Sequence, residues 1–446
     1  MAVYKIFPSA DATIYSAYPA KNAGRDEVLE VSAKNSRDSL RFTDRSLLDE
    51  SPFYTYDLAV SDNYTIPSFV AALPDVRRSL LQFSNEDINR IKTFASQSIS
   101  GSWEAALKLN LAFAQNLNTT YSLEAYAVSQ SWSMGTGKYV TTPEIRNGVC
   151  WMNTGPYQTS PLWNTIPFTP LNWETALATW EEVFTTWEWD PAPTLASGGG
   201  SWHISLAASQ SFDYMSNKDV NMNITSVVGA WLNGSAANYG IIVKHPQEIE
   251  EDQNSFIDLK FFSVDTHTIY PPCIELRWDD AHYYPVGTNY VLGNQFTATI
   301  ANNPGTFKQG SVYKFRTSVR DTYPTRQFTT SSIYLKAKYL SQDSYWALQD
   351  VKTNEMIIDF DEKYTKLSAD NVSNYFYMYM NGLEPERFYR ILLKTKVYST
   401  TYGPLSIYDN EQSLYDALSL YSAEDLALLP AEEIIVDNNL IFKVIR

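Results

Sequence analysis

Residues 223–244 read NITSVVGAWLNGSAANYGIIVK. Ile224, Val227, Val228, Trp231 and Leu232 recur at i, i+3, i+4, i+7 and i+8, one stripe of an α-helix. Asn233-Gly234 ends that helix, because both residues accept the left-handed backbone of a helix stop. Tyr239, Ile241 and Val243 then recur at every second position, the period of a strand. A short helix therefore feeds a strand, and in this chain the helix is the exception.

Outward from that segment the two-residue period dominates. Leu107, Leu109, Leu111 and Phe113 alternate with Lys108, Asn110 and Ala112, which reads as one strand. Leu29 and Val31, Leu81 and Phe83, and Ile274, Leu276 and Trp278 repeat the pattern. Tyr313, Phe315, Thr317 and Val319 alternate with Lys314, Arg316, Ser318 and Arg320. Leu414, Leu418 and Tyr421 predict a helical segment at 411–429, and Leu440, Phe442 and Val444 a closing strand after Asn438-Asn439. The fold class is mainly β.

Composition agrees: 19% of the 446 residues are charged and 14% aromatic, and Tyr, Ser, Thr and Asn suit a pleated, half-buried surface. A net charge of −16 without a basic patch argues against autonomous nucleic-acid binding. Two cysteines, Cys150 and Cys273, exclude a disulfide framework. The start MAVYKIFPSADATIY lacks a signal peptide, and no apolar run approaches the ~18 residues of a membrane span. The expectation is a soluble protein made in the cytoplasm of the producing cell.

Seven of the twelve tryptophans fall in a proline-rich stretch at 148–205, among them Trp163, Trp173, Trp187 and Trp189. Three readings are open for them: the domain's own core, a subunit interface, or rings presented to a glycan. Gly198-Gly199-Gly200 reads as a hairpin tip or turn, and Asp279-Asp280 with Pro285-Val286-Gly287 as a domain junction.

The first part resembles the DNRLRE family of jelly-roll domains, which look like carbohydrate-binding modules. The matching pieces are Asp11–Tyr15, Asn22-x-Gly24, Leu29-x-Val31, Arg78–Phe83 and Leu123-x-x-Tyr126-x-Val128 before Trp132. The helix-to-strand segment above and the closing Pro271–Leu276 complete the series. This resemblance implies a β-jelly-roll sandwich at 1–279, with insertions at about 48–73 and 148–205. Residues from about 288 resemble structural proteins of contractile-tailed phages of the T4-like and marine type. Arg316-x-x-x-Arg320-Asp321-x-Tyr323-Pro324-Thr325-Arg326, Tyr364–Ser368, Asn381–Tyr389 and Ile441–Val444 carry it. It implies a smaller β-sandwich-like domain at 288–446 and a place in the neck, tail or baseplate.

Residues with chemical potential read mostly as structural. His203, His245, His267 and His282 share no metal-ligand spacing, and Cys150 beside Trp151 reads as a buried, inert thiol. Glu181-Glu182 and Trp187-Glu188-Trp189 raise the question of a glycosidase pair, but adjacent carboxylates point to different faces of an element. Glu248, Glu250, Glu251 and Asp252 read as a solvated loop, lacking the alternation that wraps calcium. The expectation is a virion structural protein without catalysis or cofactor. Its partners are other virion subunits in a symmetric multi-copy assembly, with no nucleic acid and no membrane. Interface candidates are Arg316, Arg320, Tyr323, Arg326, Arg387, Phe388 and Tyr389, with Arg390 beside them. The alternatives are a glycan-binding adhesion module of a phage fibre and an accessory of a polysaccharide-degrading enzyme, the latter disfavoured without a signal peptide.

Overall fold

The structure, a computed structural model, describes residues 2–34, 75–98, 103–164, 198–213, 215–252, 256–284, 296–323, 338–398 and 431–446. The expected insertion at 48–73, the junction at 285–287, Arg326 and the expected helix at 411–429 lie outside them. The protein is mainly β, with 50% of the described residues in strands and 8% in helices, and its sheets are largely antiparallel and sandwich-like. No helix among the described residues is long and apolar enough to cross a membrane.

The first elements are β1 (Ala2–Ile6), β2 (Pro8–Tyr15), β3 (Val28–Lys34), β4 (Asp75–Phe83), α1 (Asn85–Ser98), β5 (Trp103–Leu109) and β6 (Leu111–Gln115). There follow β7 (Thr120–Val128), β8 (Trp202–Asp213), β9 (Val220–Asn223), α2 (Thr225–Asn233), β10 (Ile241–Lys244), α3 (Gln247–Glu251), β11 (Phe256–Phe262) and β12 (Cys273–Trp278). The remainder are β13 (Phe296–Ile300), β14 (Thr306–Lys308), β15 (Val312–Asp321), β16 (Ser344–Asp350), β17 (Met356–Ile358), β18 (Ser368–Ala369), β19 (Asn374–Tyr379), β20 (Phe388–Tyr398) and β21 (Ala431–Ile445).

The chain divides into two compact units, neither of them continuous. An amino-terminal unit takes Phe7–Lys92 and Ala105–Ile274, and a carboxy-terminal unit takes Met1–Ile6, Thr93–Glu104 and Glu275–Arg446. The division expected at 1–279 and 288–446 leaves out this exchange of segments. Its physical cause is visible at β1, which pairs with β12. The Tyr4 ring meets Tyr379 edge-on at 5.7 Å, and the Asn381 side chain donates to the Lys5 carbonyl at 3.2 Å. Gly382 lies against Lys5 so closely that a Cβ would stand 2.7 Å from the Lys5 Cβ. The start of the Asn381–Tyr389 motif is thus a grip on the first strand.

In the amino-terminal unit eight strands form one sheet in the order β6-β11-β3-β4-β10-β7-β8, with β2 also on β4. Its central strands are covered on both faces: Val76, Leu80, Leu81, Phe83, Ile241, Ile242 and Val243 are all buried. Double coverage is why 79–83 and 241–243 read as nearly continuous apolar runs. Each such side chain contributes about 1.5–3 kcal/mol by leaving water. Trp132, Cys150, Trp151, Met152 and Trp163 belong to the core on one face. The helix read from the sequence is α2, with Val227, Val228 and Trp231 buried and Gly234 as its left-handed stop at φ 77°.

Two of the resembling motifs act as fasteners. Asn22 is buried and donates to the Met134 and Val149 carbonyls at 2.7 and 2.8 Å, while the Gly137 N–H donates to its side-chain oxygen at 2.8 Å. Trp132 donates its indole N–H to the Tyr239 carbonyl at 2.9 Å. One expectation fails at Asn110, where the run 107–113 breaks into β5 and β6, which join different sheets. Leu107 and Leu109 are buried but Phe113 is exposed, and the Leu111 N–H turns to the Asp219 carboxylate at 2.8 Å. A chain corner between sheets preserved the alternation without preserving one strand.

The carboxy-terminal unit has sheets ordered β13-β15-β19-β18 and β14-β21-β20-β16-β17. Phe307, Phe315, Trp346, Phe376, Tyr389 and Phe442 belong to its core. Phe376 stacks on Phe315 at 5.3 Å and on Trp346 at 4.8 Å. Such pairs add about 0.5–1.5 kcal/mol each beyond area burial.

Candidate functional site

The alternation along β15 sends Phe315, Thr317 and Val319 inward and leaves Lys314, Arg316, Ser318 and Arg320 outward. Antiparallel pairing sets Arg316 opposite Tyr375 and Lys314 opposite Tyr377 on β19. Asp370, in the turn before β19, receives the Arg316 fork with one nitrogen on each oxygen, at 3.0 and 2.8 Å. Lys314 adds a contact at 3.2 Å, and the Val372 and Ser373 N–H groups donate at 2.9 and 3.2 Å. Burial pulls the Asp370 carboxyl up, but these donors outweigh it and hold it below the usual range. The Lys314 ammonium sits 3.5 Å from the Tyr375 ring centre. Val312, Tyr377 and Arg320 are exposed on this face, and Tyr323 beyond it is 79% exposed.

A second patch surrounds the start of β20. Arg387 donates through Nε to Asp350 at 2.7 Å. Burial would raise the Asp350 carboxyl, and Arg387 with the Thr353 and Lys352 N–H groups holds it low instead. Phe388 is exposed with the Lys443 ammonium 5.8 Å from its ring, and Arg390 pairs with Asp437 at 3.2 Å. Tyr389 points the other way: it is buried in the core, its hydroxyl donates to the Glu384 carbonyl at 3.1 Å, and burial pushes the phenol well above its ordinary value.

The structure thus brings Arg316 and Arg320 to one outer face and Arg387 and Phe388 to another. Tyr389 offers no ring to a partner. Arg326, Trp173, Trp187, Trp189, Glu181 and Glu188 lie outside the described residues. Trp163 is 2% exposed and donates to the Cys150 carbonyl at 3.0 Å, so for this ring the core reading holds. Cys150 is buried, and burial pushes its thiol up. The period-two run Asn374–Tyr379 carries the signal for Tyr375 and Tyr377.

A second overlooked constellation lies within the amino-terminal unit. The segment 248–252, expected as a solvated loop, begins as α3, and Glu250 is sealed at 1% exposure against Arg78, also at 1%. Arg78 Nη1 donates to the Gly199 carbonyl at 2.6 Å, and the guanidinium lies 5.0 Å from Trp151 and 5.3 Å from Trp202. The three glycines are therefore buried beside these rings. Gly198, Gly199 and Gly200 all take positive φ, and a Cβ on Gly199 would meet the Trp151 ring at 2.8 Å. Lys244 lies 3.6 Å from Glu250, and His245 is fully buried, its pKa pushed down to about 4 by desolvation. This network fastens α3 and the glycine run to β4.

A recess of about 180 Å³ on the carboxy-terminal unit is lined by Asp343, Tyr345, Glu362, Lys394, Lys396 and Glu433. Lys394 and Glu433 close on each other there at 3.0 Å. Among the described residues no three His, Cys, Asp or Glu side chains converge to hold a metal ion. No family model and no curated protein matches the chain.

Proposed function

We propose that the protein is a structural subunit of a tailed-phage virion, built into the neck, tail or baseplate, and that it works by protein–protein assembly rather than catalysis. The observation that carries the reading is the outer face of β15 and β19. Tyr375 and Tyr377 supply ring area there, Val312 and Arg320 are exposed, and Arg316 is already locked on Asp370. Tyrosine and arginine are enriched where proteins meet, and a side chain held before docking loses less entropy on docking. The phage resemblance of the carboxy-terminal part supports the same reading. In this proposal that unit makes the main attachment while the amino-terminal unit projects; the partners are other virion subunits in a multi-copy assembly.

A glycan-binding adhesion module of a phage fibre is the second reading. The Tyr377 ring beside Lys314 favours it, since a sugar face stacks on a ring and its hydroxyls accept from a cation. Trp163 lends it nothing. Mass spectrometry of purified particles tests the first reading, with Arg320→Glu/Tyr377→Ser as the variant expected to drop out of them. Absence of the chain from particles refutes it. Binding of host polysaccharide that fails on Tyr377→Ser moves the conclusion to the second reading, and turnover of that polysaccharide overturns both.

A further inference from the structure

The outer face of β15 and β19 continues over the strands on either side. Thr297 and Thr299 of β13 lie opposite Arg320 and Ser318. On the other side, Ser368 of β18 lies opposite Tyr375. Its neighbour Ala369 turns inward beside Tyr283, which bridges it in parallel and donates its hydroxyl to the Leu340 carbonyl at 2.6 Å. With Tyr283 turned inward, the two-residue period sends His282 and Tyr284 outward. Both are exposed, Tyr284 at 75%, and their rings stack at 6.3 Å. All of these residues belong to the carboxy-terminal unit.

Charge on this face runs against the rest of the chain. β15 turns three cations outward, Lys314, Arg316 and Arg320, and the turn before β19 brings one carboxylate, Asp370. At the end of β15, Asp321 is matched by Lys338 at 2.6 Å. Among these side chains two positive charges are left over, in a protein whose net charge is −16. Arg320 is exposed, and its side chain makes no ion pair among the described residues. Four positions earlier on the same side of the strand, Arg316 shows what such a fork takes: both oxygens of a carboxylate, at 3.0 and 2.8 Å. We propose that this face docks an acidic segment of a neighbouring protein subunit, with one of its carboxylates on Arg320 and its apolar parts on Tyr284 and Tyr377. The proposal rests on the virion-subunit reading and names the chemistry of the neighbour.

The same features argue against other occupants. A neutral sugar stacks on the rings but takes water from Arg320 without matching its charge. A nucleic acid presents charge continuously, one per about 1.7 Å of duplex, and a polyanionic glycan is similarly dense; three cations are too short a run to hold either against the repulsion of a chain at −16. A protein segment with a few carboxylates among apolar residues fits both the small surplus of charge and the exposed rings.

Fluorescence anisotropy of a labelled hexaglutamate peptide with the full chain tests the proposal, with hexaglutamine and heparin as comparison probes. The expected result is saturable binding of hexaglutamate and none of hexaglutamine. Arg320→Glu is expected to weaken it at least about tenfold with an unchanged thermal melt, and so is raising the salt from about 0.05 to about 0.3 M. If Arg320→Glu melts early, Arg320→Gln and Tyr284→Ser are read instead, each expected to weaken binding at least about threefold. No saturable binding, or binding indifferent to Arg320, overturns the proposal. Tighter binding of heparin that is lost in Arg320→Glu also overturns it and makes the occupant an acidic glycan. Presence in purified particles is read separately. A chain found there that ignores hexaglutamate sinks this proposal and leaves the virion reading intact. A chain that binds hexaglutamate through Arg320 but is absent from particles keeps the acidic partner and sinks the virion reading.

Discussion

Glu250→Gln removes one negative charge from a place where water cannot replace it. Arg78 and Glu250 are each 1% exposed, and the carboxylate accepts from Nε at 3.0 Å and Nη2 at 2.7 Å. Lys244 lies 3.6 Å from the same carboxylate. Glutamine keeps the shape but removes the charge that two enclosed cations share, and Glu124, 3.5 Å from Lys244, is itself partly exposed. Breaking a buried pair on one side costs about 3–5 kcal/mol, while replacing both partners by apolar groups is close to neutral. With a urea slope of about 3 kcal/mol per M, the midpoint falls by about 1–1.7 M. Tryptophan fluorescence reads the transition, since Trp151 and Trp202 flank the guanidinium. Arg78→Met/Glu250→Leu is expected to recover most of the loss. Burial raises the Glu250 carboxyl, but Arg78 and Lys244 outweigh it, so its folded pKa lies below the ordinary 4.5. The stability it adds is present above that value and is lost as pH falls, so the gap between wild type and variant narrows in acid. A midpoint shift under about 0.3 M, or a double variant as weak as the single one, refutes the reasoning.

Asp11 behaves with the opposite sign. Burial, opposed by the Val264 N–H and reinforced by Asp265, raises its pKa from 3.8 to about 7, so its contribution is full below pH 3.8 and fades as pH rises to about 7. Asp11→Asn is therefore expected to melt above wild type at pH 8 with the gap closing toward pH 4; a gap independent of pH refutes this. Gly240 has φ 90°, and a Cβ there would stand 2.1 Å from the Leu81 carbonyl oxygen. Gly240→Ala is expected to cost at least about 2 kcal/mol in chemical denaturation, against about 1 for Gly234→Ala, which meets nothing within 4 Å; equal losses would count against the account. Trp231→Ala should lower stability by about 3–5 kcal/mol, measured the same way, because that ring is 7% exposed.

What could be read from the sequence was local. The spacing of Val227, Val228 and Trp231 specified α2, and the alternation from Tyr313 to Arg320 specified which side of β15 faces out. Both follow from periodicity within one element. The same signal misled at Asn110, because side-chain alternation continues through a corner where the backbone changes sheets. Partnerships across distance were not legible. Glu250 sits 172 residues from Arg78, and a cluster of acidic residues looks solvated until a guanidinium is placed beneath it. Asp370 was equally silent, since its role arises only when a turn delivers it to Arg316. At the candidate surface the arginines are legible, but not that carboxylates of the same unit already hold three of them.

The separation of β1 from the rest of its unit sets a schedule for synthesis. Tyr4 and Lys5 are made some hundreds of residues before the groups that hold them, Tyr379 and Asn381. All of Phe7–Lys92 and Ala105–Ile274 is made in between, and can close its own sheet while β1 waits. Bringing such remote partners together is entropically slow, so completion of the carboxy-terminal unit is expected to be the late step of folding. Any attachment that restrains β1 therefore loads a late event in the folding sequence and not an early one.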